Sequence, residues 1–212
     1  MMDSNFVILE CDNQACHFRF SARKSEPQIR WCPKCHGSSS IKENFVENPL
    51  KEVINKNSLR IDVLLDNIRS AYNVGSILRT SDGLNIHHLY LCGITPTPEN
   101  PKVGKTGLGA ELSTPWTYSP NSVDLIKSLD SSELKIIGLE RTNNSIPLDQ
   151  VSNLEHDHVL LIIGNELAGI DPFLRRECHQ LIHIPMFGHK KSFNVTIAFG
   201  IAVYHLQLIS KN

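Results

Sequence analysis

The sequence predicts an α/β fold with a mostly parallel sheet, accompanied by a small separate module at the N-terminus. Short aliphatic and β-branched runs, such as 159–163 and 181–184, are bounded by Gly and Pro, as buried parallel strands are. From residue 60 onward such runs alternate with helical patterns, which is typical of strand–helix–strand units. The N-terminal 40 residues differ, because they hold four of the six cysteines.

Length, charge and cysteine content narrow the class of protein. A chain of 212 residues can form one domain of usual size plus a small module. The formal charge of -1 gives no global basic field, so a nucleic-acid partner would have to bind local patches. The start shows no basic region followed by a long apolar stretch, so we expect no signal peptide. Clustered cysteines without a secretion signal suggest a reducing compartment, and hence a cytoplasmic protein.

The cysteines of the N-terminal segment have the spacing of metal ligands. Four residues separate Cys11 from Cys16, two separate Cys32 from Cys35, and fifteen lie between the pairs. Two knuckles on a hairpin could bring the four thiolates around one tetrahedral Zn²⁺. A segment this short buries little core, so a metal would supply its stability. The possible substitute ligands beside the pairs are His17 and His36.

The alternative is four unrelated buried cysteines. Phe18, Phe20 and Trp31 are expected to provide the apolar packing of the module. Cys92 and Cys178 lie in apolar surroundings and are interpreted as packing residues. The polar residues 41–58 predict a linker with room for a short helix, so the chain divides into a zinc-ribbon-like module (1–40), a linker (41–58) and a main domain (59–212).

The first half of the main domain begins with a strand at 60–66. A helix should follow from Asn73, as its N-cap, to about residue 84, with Arg79 on a different face from the apolar residues. A second strand is predicted at 88–94. The proline-rich segment 95–120 contains KTGLGAE and is predicted to be a long irregular loop, which is usually a functional feature.

The second half places polar turns at the ends of two strands. The patterns predict a helix at 122–129, a strand at 134–139, a helical turn at 147–151, and the strands 159–163 and 181–184. Ser192 is the expected N-cap of a long apolar helix. That segment, 193–209, contains four polar residues, which favours a core helix over a membrane span. Ligands of open α/β sheets bind at the carboxyl ends of strands, although ordinary strand ends look the same.

Several common motifs are missing. The first strand is not followed by GxGxxG, and neither GxxxxGK[ST] nor GxSxG occurs. The usual arguments for a dinucleotide site, a P-loop or an α/β-hydrolase therefore fail. Three separated polar loops remain as candidates, at 67–79, 164–169 and 185–195.

These loops resemble a known family. NIRSAYNVGSILRTSDG (67–83), LLIIGNELAGI (160–170) and IPMFGHKKSFNVTIAFGIAVY (184–204) are similar, in order and spacing, to the three motifs of the SpoU/TrmH branch of the SPOUT RNA methyltransferases. The resemblance covers about residues 60–209 and leaves out the cysteine segment. It implies transfer of a methyl group from S-adenosylmethionine (SAM) to a ribose 2′-OH of tRNA or rRNA. It also implies a C-terminal trefoil knot and a homodimer.

The resemblance also implies residue roles by position. The residues matching the family's catalytic positions are Arg79, Asn73, Glu166, Ser192 and Asn194. Those matching its SAM-binding loops are Leu139, Gly164, Asn165, Ile184, Met186 and Phe193. The loop after Leu139 is expected to close over the adenine. Two positions depart from the family pattern: Leu167 stands where the second motif has Gly, and Phe193 where the third has Leu.

The chemistry of methyl transfer leaves the role of Arg79 open. A ribose hydroxyl is a poor nucleophile, but the methyl group of SAM is already activated, so the enzyme mainly needs alignment and a place for the proton. A guanidinium stays protonated unless desolvation or a neighbouring cation lowers its pKa. Arg79 is therefore either such a base or a group that holds a phosphate or orients the hydroxyl.

Each of these residues could instead have a purely structural role. Arg79 could be a surface arginine, Asn165 and Glu166 turn formers, and Ser192 only a helix cap. Asn194, at an apolar helix start, should have a hydrogen-bond partner. Lys190 and Lys191 either contact phosphate or belong to a solvated loop.

An RNA partner would have to meet local basic residues. The candidates are Arg19, Arg23, Lys24, Arg30, Lys34, Lys102 and Lys105. Because the cysteine module also carries aromatic residues that could stack on bases, we expect it to dock RNA, with dimerisation as the alternative. Two rival functions are a non-catalytic RNA-binding or assembly protein on the knot scaffold and a zinc-ribbon protein that only binds nucleic acid. The second should not bind SAM.

Overall fold

A computed structural model describes residues 5–45, 59–129, 134–152, 154 and 156–209. These residues form two compact units, one on each side of the segment 46–58. The linker was predicted at 41–58, and residues 46–58 of it lie outside the described residues.

The N-terminal unit is a three-stranded antiparallel sheet with strand order β2-β1-β3. The strands are β1 (Phe6–Cys11), β2 (Arg19–Arg23) and β3 (Ser39–Asn44), with a 3-10 turn at Pro27–Arg30. Its small core consists of Val7, Leu9 and Ala22, with Phe20 and Ile29 packed against them. Strand β3 runs past residue 40, so the module extends beyond the predicted boundary.

The aromatic residues of this unit divide between the core and the surface. Phe20 packs inward because it lies two residues from buried Ala22, on the same face of β2. Phe18 is 37% exposed and Trp31 is 58% exposed. The expectation that all three fill the core is therefore wrong for Phe18 and Trp31, which lie outside the regular strands.

The C-terminal unit is built on a seven-stranded parallel sheet with strand order β6-β5-β4-β9-β7-β10-β8. Its strands are β4 (Arg60–Asp66), β5 (His88–Cys92), β6 (Trp116–Ser119), β7 (Leu134–Leu139), β8 (Ile146–Pro147), β9 (His158–Ile163) and β10 (Gln180–His183). Its helices are α1 (Ala71–Gly83), α2 (Pro101–Gly107), α3 (Ser122–Ser128), α4 (Pro172–Glu177) and α5 (Val195–Ile209). Short 3-10 turns occupy Ala110–Leu112 and Leu148–Gln150.

Both faces of the sheet are covered, which explains the nearly continuous apolar strands. Successive residues of β4 point to opposite faces, so Val63 and Leu65 join one core and Leu64 joins the other. The first core is closed by α1 and by Phe199 of α5, and the second by Leu174 of α4. The predicted α/β class with a parallel sheet is confirmed.

The segment 95–120 differs from its prediction. It was expected to be irregular, but it contains the helix α2 and the strand β6. Pro101 supports rather than breaks α2, because it occupies the first turn, where its missing N–H is not needed. The Asn100 side chain caps this turn by accepting a hydrogen bond from the Lys102 N–H.

Helices α1 and α2 approach so closely that their backbones touch. A Cβ atom on Gly75 of α1 would collide with the Val103 carbonyl oxygen and the Thr106 hydroxyl of α2. Thr106 Oγ1 donates a hydrogen bond to the Tyr72 carbonyl over 2.9 Å. Alanine at position 75 would therefore push the two helices apart.

The C-terminal helix α5 is fifteen residues long. Phe199, Ala202, Val203 and Leu206 are its buried residues, as expected for a core helix. Within the part of the chain that the structure describes, no helix is long and apolar enough to cross a membrane.

Candidate active site

A cleft lies at the carboxyl ends of β7, β9 and β10. It holds about 730 Å³ of empty space, its open mouth included. All six residues assigned to cofactor binding line it: Leu139, Gly164, Asn165, Ile184, Met186 and Phe193. Glu166 and Ser192 line the same cleft. Residues from three distant parts of the sequence thus meet at one edge of the sheet.

The turn after β9 is held by its own hydrogen bonds. Asn165 and Gly169 exchange two backbone hydrogen bonds of 3.0 and 2.9 Å. The Asn165 side chain accepts hydrogen bonds from the Leu167 and Ala168 N–H groups and donates one to the Asn67 carbonyl over 2.6 Å. A Cβ atom on Gly164 would strike the Gly169 backbone, so this position requires glycine. The turn is therefore preformed.

The Glu166 carboxylate binds the start of α1. It accepts hydrogen bonds from the Arg69 N–H at 2.9 Å, the Ser70 N–H at 3.3 Å and Nδ2 of Asn73 at 2.9 Å. Partial burial alone would raise the pKa of Glu166, but these hydrogen bonds outweigh it and the pKa is lowered. Glu166 is therefore ionised at neutral pH.

Asn73 connects Glu166 to the third polar loop. Its Oδ1 accepts a hydrogen bond from Nδ2 of Asn194 over 3.2 Å. Asn194 Oδ1 in turn accepts the Thr196 N–H at 2.8 Å. The expectation that Asn194 has a hydrogen-bond partner is confirmed. A single chain of hydrogen bonds therefore joins the three polar loops.

Two predicted helix caps are wrong. Helix α1 begins at Ala71 and is capped by Ser70, whose Oγ accepts the Asn73 N–H, so Asn73 lies inside the first turn. Helix α5 begins at Val195 and is capped by Asn194, not by Ser192. In both helices the observed cap accepts an N–H two or three residues ahead. Ser192 instead lines the cleft.

A buried carboxylate holds together the loops next to the site. Asp66, at the end of β4, is 1% exposed. Its Oδ1 accepts hydrogen bonds from Asn67 Nδ2 at 2.8 Å and Ser122 Oγ at 3.0 Å, and its Oδ2 accepts the Asp171 N–H at 3.0 Å. Sequence analysis missed this residue, although a charged residue ending an apolar strand was the available signal.

Arg79 does not line the cleft. It is exposed and lines a separate notch with Asp82, Ser113 and the turn 107–110. In the described part of the chain it forms no ion pair. The hydrogen-bonded group thus contains Asn73, Glu166 and Asn194, but not Arg79.

Further residues of the cleft were not assigned from the sequence. Glu140, Arg141, His183 and Lys191 also line it. Glu140 accepts the Ile170 N–H at 3.4 Å and lies 3.7 Å from Arg175, so it links the loop after β7 to the loop after β9. Position alone could have indicated Glu140 and His183, because each lies at the end of a predicted strand.

The four cysteines of the N-terminal unit converge. The Sγ atoms of Cys11, Cys16, Cys32 and Cys35 all lie within 4.8 Å of one another. Cys11 and Cys35 are 3.4 Å apart, and Cys16 and Cys32 are 3.8 Å apart. Tetrahedral coordination with Zn–S bonds of about 2.3 Å places sulfurs about 3.8 Å apart, so the cluster has the dimensions of a zinc site.

The backbone around Cys32 favours its thiolate. Burial would raise the pKa of Cys32, but the N–H groups of Cys35 and Lys34 point toward the sulfur, and the pKa is lowered to about 7. Metal binding requires this deprotonated form. His17 and His36 are not part of the group of converging ligand atoms. Both adopt a left-handed conformation immediately after a cysteine.

The family of the main domain follows from its sequence match. The model of the SpoU rRNA Methylase family matches residues 60–204. The chain belongs to the SpoU rRNA methylase family. The match includes all three polar loops and begins after the cysteine module.

Two curated proteins similar to this SpoU chain are named as 2′-O-methyltransferases. The 23S rRNA (guanosine-2'-O-)-methyltransferase RlmB of Neisseria meningitidis serogroup B is 28% identical over 167 residues, covering 77% of this chain and 60% of that protein. The tRNA (guanosine(18)-2'-O)-methyltransferase of Aquifex aeolicus is 28% identical over 166 residues, covering 74% of each. The chain therefore spans less than two thirds of the length of the first of these relatives.

Solved structures of SpoU proteins share the fold. The AdoMet-bound rRNA methyltransferase from Sinorhizobium meliloti superposes with a TM-score of 0.66 at 26% identity, covering 73% of this chain and 58% of that one. The SpoU methyltransferase AviRb from Streptomyces viridochromogenes gives a TM-score of 0.64 at 22% identity, covering 84% of this chain and 69% of that one. The second similarity bears on the fold alone.

Proposed function

We propose that this protein is a SAM-dependent RNA methyltransferase that methylates a ribose 2′-OH of tRNA or rRNA. The observation that carries the proposal is the hydrogen-bonded chain from Glu166 through Asn73 to Asn194, beside the cleft. The names of the two curated relatives and the bound AdoMet of the similar structure support the same activity. A non-catalytic scaffold would not need this arrangement.

The cleft fits a cofactor with an apolar base and a charged tail. Its wall includes Leu139, Ile184 and Val195, and its rim includes Asn165 and Ser192. An apolar pocket with a few convergent polar groups is the usual form of such a site.

Bound SAM would supply a methyl group already activated by a positively charged sulfur. In the reaction, the 2′-oxygen forms a bond to the methyl carbon while the carbon–sulfur bond breaks and its electron pair goes to sulfur. The protein must align these atoms and allow the hydroxyl proton to leave. The linked loops of Asn73 and Asn194 hold polar groups where the hydroxyl would have to lie.

Glu166 is proposed to act as an anchor rather than as the base. Its carboxylate already accepts three hydrogen bonds, and its lowered pKa makes it a weak proton acceptor at neutral pH. Its negative charge fixes the orientation of Asn73, because only the NH₂ group of that amide can donate to it. Loss of the charge would release this orientation.

Arg79 is proposed to hold phosphate or to orient the hydroxyl. Arg79 is exposed, and its guanidinium offers only hydrogen-bond donors, which disfavours the role of base. The adjacent notch, built by the turn 107–110, leaves room for an RNA backbone beside it. The packing of α1 on α2 at Gly75 holds this turn in position relative to Arg79.

The cysteine cluster is proposed to bind one structural Zn²⁺. The short distances between the four sulfurs support this assignment. Among its described residues, the N-terminal unit has three buried apolar residues besides cysteine, so metal binding would contribute much of its stability.

The zinc module is proposed to dock RNA. Exposed Trp31 and Phe18 offer faces for stacking on unpaired bases, and Lys34 lies 6.0 Å from the centre of the Phe18 ring. Arg19 contributes less, since it pairs with Glu10 and Glu43. Dimerisation through this module is the alternative.

A homodimer is also proposed. Helix α5 carries exposed Ile197, Ile201, Tyr204 and Leu208, spaced so that they form one stripe. Contiguous exposed apolar surface of this kind marks an interface, and a second copy of the chain offers the same stripe.

The C-terminal part is proposed to form the trefoil knot of the family, in a cytoplasmic enzyme. In the sheet, β7 lies between β9 and β10. The chain must therefore cross over β7 on its way from β9 to β10. The loops after β7, β9 and β10 line one cleft, as interwoven loops would. The grouping of four cysteines as metal ligands supports the cytoplasmic location.

The decisive experiment is methyl transfer from labelled SAM to unmodified RNA, followed by nucleoside analysis. Label in 2′-O-methyl nucleosides, lost in Arg79→Ala, is the expected result. SAM binding without transfer to any RNA would favour the non-catalytic scaffold. Absence of SAM binding would contradict the proposed function.

A further inference from the structure

His183 lies at the end of the cleft away from Glu166. It is the last residue of β10, and β7 separates β10 from β9, whose end leads to Glu166. Two strand spacings amount to about 10 Å. A ligand that fills the cleft from the Glu166 end therefore presents its far end to His183, which lines the same cavity.

The neighbouring serine determines which ring nitrogen carries the hydrogen in the neutral imidazole. Ser145 Oγ lies 2.8 Å from the Thr142 carbonyl oxygen and 2.9 Å from Nδ1 of His183. A carbonyl cannot donate, so the single hydroxyl hydrogen of Ser145 must go to Thr142. Nδ1 of His183 must then carry a hydrogen and donate it to Ser145.

The second ring nitrogen is consequently an acceptor. When a neutral imidazole carries its hydrogen on Nδ1, Nε2 has a free lone pair. Among the described residues no protein group donates to Nε2 of His183, and His183 is one of the residues that line the cleft. This acceptor is therefore available to a donor on a ligand in the cleft.

We propose that Nε2 of His183 accepts a hydrogen bond from the exocyclic amine of the adenine of SAM. The inference rests on the proposed function. The reacting methyl group must lie near Glu166 and Asn73, and the amino-acid tail is attached to the same sulfur by a short chain. The adenine amine is the N–H donor farthest from the sulfur. His183 is thus a cofactor-positioning residue that selects for adenine.

The apolar lining supports this placement of the base. Leu139 precedes Glu140 at the end of β7, and Ile184 follows His183 directly. An adenine ring between such side chains would bury its faces and leave its amine at the edge, within reach of a polar group. The Ser145 contact keeps the imidazole from turning away.

The test compares two ligands on each protein by calorimetry. One is S-adenosylhomocysteine, and the other is its analogue with hydrogen in place of the 6-amino group. The wild-type chain should bind the amino form about tenfold more tightly, the value of one hydrogen bond in a ligand site. Because both ligands are measured on the same protein, any general loss of stability cancels.

The variants separate the two ring nitrogens. In His183→Asn the amide can replace Nδ1 as the partner of Ser145, but it cannot replace Nε2. This variant should therefore bind the two ligands with about equal affinity. His183→Gln places an oxygen near the Nε2 position and should restore most of the preference. Ser145→Ala frees the ring and should reduce the preference partly.

Two results would overturn the proposal. If the wild-type chain binds S-adenosylhomocysteine but His183→Asn keeps its preference for the amino form, or weakens both ligands equally, His183 does not read the amine. If the wild-type chain binds neither ligand, the proposed function fails and this inference with it.

Discussion

The side-chain amide of Asn194 donates a hydrogen bond from Nδ2 to Oδ1 of Asn73 over 3.2 Å, although 121 positions separate the two residues. The direction of this bond is set by Glu166. Its carboxylate can only accept, so Asn73 must present Nδ2 to it and Oδ1 to Asn194. Asn194 must then offer its own Oδ1 to the start of α5. One negative charge therefore orients two amides.

The two tasks of Asn194 can be separated by substitution. Asn194→Ser keeps a capping oxygen for α5 but loses the Nδ2 donor. We expect stability to change by only a few tenths of a kcal/mol while the methyl-transfer rate falls about tenfold. Asn194→Ala, the control, should lose the same activity and about 1 kcal/mol of stability besides. Single-turnover rates and thermal unfolding check this. A serine variant with the wild-type rate would contradict it.

The ionised Glu166 carboxylate should stabilise the folded chain at neutral pH but not in acid. Its pKa in the folded chain is lowered from the ordinary 4.5, so the contribution is present above pH 4.5 and is lost as pH falls through the lowered value. Glu166→Gln does not titrate. The difference in melting temperature between wild type and Glu166→Gln should therefore shrink below pH 4.5, as measured by scanning calorimetry from pH 7 to 3. A constant difference would show that the hydrogen bonds do not depend on the charge.

Replacement of Arg79 distinguishes a base from a holding group. If Arg79 only holds phosphate or orients the hydroxyl, Arg79→Lys should keep the wild-type pH–rate profile. The rate should fall about tenfold, because a lysine lacks the planar fork of donors. Rates from pH 6 to 10 for wild type and Arg79→Lys provide the measurement. A shifted profile in the variant would instead assign the proton transfer to Arg79.

One zinc ion per chain should copurify with the protein. Cys16→Ser should lose it, because three thiolates and a hydroxyl bind zinc more weakly. Cys178→Ser is the matched control, since that thiol lies in the other unit. Metal analysis measures the stoichiometry, and proteolysis should cut the N-terminal unit only after chelation. Equal zinc content in the two variants would refute the site.

Docking of RNA by the zinc module predicts a selective effect on the RNA KM. Trp31→Ala should raise it about fivefold to tenfold, since stacking on a base contributes about 1–3 kcal/mol. SAM binding should not change. Ile41→Ala removes another exposed apolar side chain of the same unit and serves as the control. If both variants keep the wild-type KM, the module does not dock RNA, and the dimerisation role gains support.

The sequence was informative where apolar pattern decides the structure. Strands β4 and β7 have their predicted bounds, and α3 differs by one residue, because buried runs end sharply at polar turns. The position of the cleft was also accessible, since parallel strands bring their carboxyl ends together, and its six expected cofactor residues followed from the family resemblance. The order of the strands in the sheet could not be predicted, because no local sequence pattern indicates which strands pair.

Other features depended on tertiary contacts. Pro101 suggested irregular chain, but packing of α2 on Gly75 stabilises a helix there. Ser192 is as good a capping residue as Asn194, and the local sequence does not reveal the hydrogen bond to Asn73 that holds Asn194 at the start of α5. The separation of Arg79 from the cleft could not be predicted either, because it depends on the direction in which α1 leaves the sheet.

The carboxylate of Asp66 has a consequence for the order of events during synthesis. Its partners Ser122 and Asp171 follow it by 56 and 105 positions. Contacts of such long range form late, and a chain emerges from the ribosome at about 5–20 residues per second. Strand β4 is therefore made well before the two distant donors to its carboxylate, and Asn67, the next residue, is the first partner available to it. The loop after β4 cannot reach its final arrangement until Asp171, at the start of α4, has been made.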